Sequence, residues 1–212
     1  MNRILYLHGF ASGPSSTKAR YFRARWEALG ASVEVPDLAA GEFERLTLSR
    51  QLAIVDALAQ RHRARPLALA GSSMGGYLAA LYAARHPDVA RLVLLAPAFA
   101  FARRWPERLG PAAMERWRAT GTMEVFHYAQ NGPRPISYSL MEDAAAYEDF
   151  PDFRQPALIF HGAHDDVVPA ELSRTFAASH PNATLEIVDS GHDLINVLDG
   201  IAPKIDRFLS SQ

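Results

Sequence analysis

A chain of 212 residues, 49% of them hydrophobic and with a formal net charge of −1, can bury one core and offers nucleic acid no basic surface. The absence of cysteine excludes disulfides, thiolate nucleophiles and zinc–thiolate sites. No apolar run approaches the ~20 residues of a membrane span, and the first one starts too close to Met1 for a signal peptide, so a cytoplasmic protein is expected.

In chain order, Arg3-Ile4-Leu5-Tyr6-Leu7 reads as a strand that ends in His8-Gly9-Phe10. A His-Gly-x turn lets the backbone approach a ligand. The Phe10 N–H can then serve a developing negative charge while its ring walls a pocket, and a plain core phenylalanine is compatible with both. A helix follows with Ala19, Phe22, Trp26 and Leu29 on one face, stopped by Gly30. Next come a strand over 33–35 and a helix striped by Leu48, Leu52, Val55 and Ala59.

The run Leu67-Ala68-Leu69-Ala70 leads directly into Gly71-Ser72-Ser73-Met74-Gly75, and a helical pattern starts at once with Tyr77-Leu78-Ala79-Ala80. G-x-S-x-G between a strand and a helix marks a nucleophile elbow. So sharp a turn forces Ser73 into a strained conformation and brings positions 71 and 75 together, where only glycine fits. Gly76 removes one more Cβ where the helix packs on the sheet. Met74, first in that helix, can offer its N–H beside that of Phe10 as an oxyanion hole.

After the elbow helix, which should end near His86-Pro87, the strand 92–95 runs into Pro97-Ala98-Phe99 with no carboxylate before Glu107. Residues 99–152 then break the alternation, with Trp105, Trp117, Phe126, Tyr128, Tyr138, Met141 and Tyr147 set among Pro106, Pro111, Pro133 and Pro135. A connection this long has structure or function of its own. It reads as a small cap insertion with one or two helices, over 112–119 and at 140–147. Phe10, Trp105 and Met141 are the candidates to line an apolar acyl site, while most of the other rings simply pack the cap on the core. Arg103 and Arg104 are either surface cations or partners for an anionic group such as a coenzyme A phosphate.

The strand 158–160 ends in His161-Gly162 and opens into Ala163-His164-Asp165-Asp166-Val167-Val168-Pro169. In the pattern G-x-x-D-x-x-V-P the acid stands three residues past the glycine, which favours Asp165 over its neighbour Asp166. His161 and His164 lie near metal-ligand spacing, but no further ligands complete a site and no metal is expected. A helix with Leu172 and Phe176 inward follows, then the last strand at 185–188 and Asp189-Ser190-Gly191-His192-Asp193. Of eight histidines, His8, His62, His86, His127 and His180 lack a base's position, and only His192 follows the final strand on a turn facing the elbow. Ile205, Phe208 and Leu209 mark a closing helix with Pro203 suited to its first turn.

These alternating units predict an α/β fold, a doubly wound six-stranded parallel sheet with the elbow strand central. The segments Leu5-Tyr6-Leu7-His8-Gly9-Phe10-Ala11-Ser12-Gly13-Pro14-Ser15-Ser16-Thr17-Lys18-Ala19 and Gly71-Ser72-Ser73-Met74-Gly75-Gly76-Tyr77 resemble the small YqiA-type esterases of the α/β-hydrolase superfamily. The resemblance implies a single domain in the minimal version of that fold and cofactor-free esterase or thioesterase activity on a small acyl substrate. It also implies Ser73, Asp165 and His192 as a catalytic triad, with Phe10 and Met74 as oxyanion donors. An acyl-CoA thioesterase or peptidase using the same triad, or a hydrolase-like binding protein with an idle site, are the competing expectations.

Overall fold

A computed structural model describes residues 3–61 and 66–210, so His62 lies outside the described residues. The strands are β1 (Arg3–Leu7), β2 (Ser32–Glu34), β3 (Leu67–Ser72), β4 (Val89–Leu95), β5 (Thr122–His127), β6 (Gly132–Ser137), β7 (Ala157–Gly162) and β8 (Ala183–Val188). Six of them form one all-parallel sheet in the order β2-β1-β3-β4-β7-β8. Residues on β1 and β3 are buried throughout, as expected where helices cover both faces of a parallel sheet. Helices α1 (Thr17–Ala28), α2 (Leu48–Gln60) and α3 (Met74–Arg85) follow the first three strands.

Between β4 and β7 lie α4 (Phe101–Leu109), α5 (Pro111–Thr120), the antiparallel β5–β6 hairpin and α6 (Ser139–Ala144). Then α7 (Ala170–Ser179) links β7 to β8, and α8 (Leu198–Ser210) ends the fold. Two cores result, one per face of the sheet. Phe22 and Trp26 of α1 pack with Ile201 and Ile205 of α8 on one face, against Tyr6, Ala68 and Ala70. On the other, α2, α3 and α7 bury Val55, Leu78 and Phe176 with residues from the 99–152 segment. This is the α/β-hydrolase arrangement with six strands, and β3 sits inside the sheet as expected.

Three expectations fail. Leu29 is 53% exposed, because α1 ends at Ala28 and leaves it as the C-cap. Pro203 is not in the first turn of its helix: α8 starts earlier, at Leu198, and the proline sits inside it on an exposed position. There it donates no hydrogen bond to the Asp199 carbonyl four residues earlier. The 99–152 segment also holds α4 and a hairpin beyond its two expected helices, with Pro133 and Pro135 tolerated in the hairpin's β6.

Candidate active site

The carboxyl ends of β3, β7 and β8 and the loop after β1 meet over a cavity of about 790 Å³. Ser73, between β3 and α3, has φ 54° and ψ −119°, a region that a residue with a Cβ occupies only under restraint. The restraint is visible. Its N–H donates to the Leu95 carbonyl at 2.9 Å, and its carbonyl accepts from Ala98 at 3.0 Å and Tyr77 at 3.1 Å. A Cβ on Gly71 would strike the Gly75 carbonyl, and one on Gly75 would strike the Leu7 carbonyl, so the turn admits neither.

Ser73 Oγ lies 3.0 Å from His192 Nε2, and His192 Nδ1 lies 2.7 Å from Asp165 Oδ2. With the carboxylate accepting from Nδ1–H, Nε2 is left to accept the serine proton. Asp165 Oδ1 accepts the Val167 and Val168 amides at 2.9 and 2.7 Å, which fixes the loop after β7 around the carboxylate. Asp166 is exposed.

His161 is fully buried, and its Nε2 stands 3.1 Å from Asp165 Oδ2 and 2.9 Å from the Val168 carbonyl. Both neighbours are acceptors, so Nε2 carries the proton; Nδ1 meets Ser173 Oγ at 2.7 Å. Burial works to raise the Asp165 pKa, but hydrogen bonds from His161, His192 and the Val168 amide hold it well below the usual carboxylate range. Sequence reasoning gave His161 no role here, although its place four residues before Asp165 was in view. His164 turns outward to Asp189 at 2.9 Å.

Phe10 and Met74 line the cavity, and neither amide donates to an acceptor among the described residues. Gly9 packs against Ser73, bringing the loop after β1 beside the hydroxyl. The Phe10 ring meets Trp105 at 5.6 Å and Phe43 at 5.5 Å, edge-on and tilted, so these rings form one wall. Met141 is a correction: it does not line the cavity but is buried in the core. Its helix α6 is tied to α2 by Asp143, which binds Ser49, and that turns Met141 inward. Arg103 is paired with Asp149 and Glu107, whereas Arg104 reaches the cavity wall and donates to the Val167 carbonyl.

A six-stranded parallel sheet carrying a serine on a strained strand-to-helix turn defines an α/β-hydrolase fold. The chain belongs to the family described as Uncharacterised protein family (UPF0227), whose model matches residues 3–209. It is 30% identical over 167 residues to the pimeloyl-[acyl-carrier protein] methyl ester esterase of Chromobacterium violaceum. That match covers 63% of this chain and 65% of the relative, so the chain spans under two thirds of that protein. A hydrolase-like protein of Agrobacterium vitis S4 superposes with TM-score 0.86 at 25% identity, covering 97% of this chain and 87% of its own. Est1E of Butyrivibrio proteoclasticus, solved with ferulic acid, shares the fold with TM-score 0.82 at 20% identity, covering 99% and 88%. Among the described residues no helix is long and apolar enough to cross a membrane.

Proposed function

We propose that the protein is a serine hydrolase that cleaves carboxylic esters of short to medium acyl chains through an acyl-enzyme on Ser73. The observation that carries this reading is the series Ser73–His192–Asp165, with bonds of 3.0 and 2.7 Å, opening into a cavity. His192 Nε2 takes the hydroxyl proton as Ser73 Oγ attacks the ester carbonyl. The Phe10 and Met74 N–H groups receive the oxyanion. His192 then gives its proton to the departing alcohol, and water releases the acid by the same steps in reverse roles. Asp165 holds the imidazole in the tautomer this needs. The match to an esterase acting on an acyl methyl ester supports oxygen esters over peptides.

Residues 99–152 act as a cap in this reading. Trp105 of α4 and Val125 of β5 line the cavity, and together with Phe10 they give the acyl chain an apolar wall. Each methylene buried there should gain up to ~0.8 kcal/mol, until the chain meets the wall. Hydrolysis of a p-nitrophenyl ester series should therefore rise with acyl length and then fall. Trp105→Ala, by opening the wall, should move the optimum to longer chains. Ser73→Ala should abolish turnover of every member, and activity persisting in that variant would overturn the reading.

A further inference from the structure

One end of the cavity carries a cation that acyl transfer does not use. Lys18, the second residue of α1, lines it together with Ser16 and Thr17. Its ammonium donates to the Asp193 carbonyl at 2.6 Å, a bond to a neutral group that leaves two of its three protons without a partner among the described residues. Burial pushes its pKa down to about 8, with Asp193 and Asp165 opposing through space. A partly desolvated ammonium on a carbonyl alone is a poor stabiliser of the fold.

Two further features belong to the same cavity lining. The N-terminus of α1, whose Ser16 and Thr17 line the cavity, has no side-chain cap from Ser16 and no acid in its first turn, so its dipole is uncompensated there. The Tyr6 hydroxyl, fully buried on the same lining, makes no hydrogen bond of normal geometry among the described residues and has only Ser72 beside it as a polar side chain working against its burial. An orphaned buried donor is costly. Holding the His192 loop through Asp193 would account for Lys18 but not for the uncapped helix or for Tyr6.

The two halves of the cavity also differ. Tyr6 and α1 belong to the core on one face of the sheet, whereas Phe10, Met74 and Trp105 pack with the core on the other. The half walled by the Phe10 and Trp105 rings suits the acyl chain, with Arg104 and Arg108 of α4 also reaching the cavity. Lys18 binds the residue next to His192, whose Nε2 must protonate the leaving oxygen. Building on the serine-hydrolase reading, we propose that Lys18, the N-terminus of α1 and the Tyr6 hydroxyl form an anion subsite. It would recognise a carboxylate or phosphate-type group on the alcohol part of the ester.

The test compares 4-acetoxybenzoate, 4-acetoxyphenylphosphonate and the neutral 4-acetoxybenzamide. The protein should favour an anionic ester by roughly tenfold in kcat/KM, mostly through KM, as a charge-assisted bond implies. Which anion is preferred separates carboxylate from phosphate chemistry. Lys18→Met should bring the anionic-to-neutral ratio close to one, and Tyr6→Phe, which only removes an orphan, should lower it. No preference in the parent protein, or an unchanged ratio in Lys18→Met because all three esters slow together, would overturn the subsite. Hydrolysis of the benzamide ester and its loss in Ser73→Ala report separately on the hydrolase reading. Calorimetric binding of the esters to the Ser73→Ala protein carries the anion claim without turnover, and equal binding of charged and neutral esters would sink it.

Discussion

Asp165 and Asp166 are chain neighbours with opposite surroundings, and the proposed mechanism needs only one of them. Asp165→Asn should lower kcat on the order of 10⁴-fold by leaving His192 in the wrong tautomer. Asp166, exposed to solvent, should tolerate Asn within about tenfold. Comparable large losses from both would refute the assignment. Because hydrogen bonds hold Asp165 ionised far into acid, the acid limb of kcat/KM should show one ionisation and not two. A second proton on that limb would mean that the carboxylate titrates with the imidazole. The three residues proposed as the triad could be picked from the sequence because each occupies a position set by topology: Ser73 between strand and helix, Asp165 and His192 after the last two strands. His161 was not, since its value comes from a ring turned inward by β7 and from contacts with Asp165 and Ser173 that no spacing reveals. Met141 was misplaced for the converse reason, as a residue on a short helix faces whatever its neighbours tie it to.

Among the elements, the turns holding the site depend on close approach of backbone to backbone. A Cβ on Gly162, at the end of β7, would strike the Ser190 and Gly191 carbonyls, just before His192. Gly162→Ala should therefore displace the histidine loop and reduce kcat far more than it lowers the urea midpoint. An unaltered kcat would show that the loop accommodates the methyl group. The six sheet strands could be read from apolar runs of the right length. The 99–152 segment resisted, because Pro106 lies inside α4 and Pro133 and Pro135 lie inside β6. Proline argues locally against both elements, while tertiary packing, such as Trp117 Nε1 donating to the Ile136 carbonyl at 3.0 Å, overrides it. Pro203 misled in the same way, since proline marks a helix start only on average.

For the molecule as a whole, buried histidines tie stability to pH. His8 accepts the Leu38 N–H on Nε2 at 3.2 Å, and its Nδ1 meets the Gly9 carbonyl at 3.0 Å, so a second ring proton breaks the contact with Leu38. Burial pushes the His8 pKa below its ordinary value; the Gly9 carbonyl and Asp37 oppose this and His127 adds to it. Burial and Arg134 lower that of His127, with Asp37 opposing. A depressed histidine binds fewer protons folded than unfolded, so its stabilisation is complete above the unfolded value of about 6.5 and is lost as pH falls below it. Asp165, also depressed, keeps its contribution above the unfolded value of about 4 and loses it below. The urea midpoint should thus hold from pH 8 to 6.5 and decline toward pH 4.5, and a midpoint that rises over that interval would contradict the assignment. The central claim concerns Ser73, the one hydroxyl among the described residues that fold, strain and imidazole all address. Treatment with a fluorophosphonate followed by peptide mass mapping tests it most directly. A single adduct on Ser73, formed far more slowly in His192→Ala, is the predicted result; an adduct on Ser72, or none at all, would contradict the account.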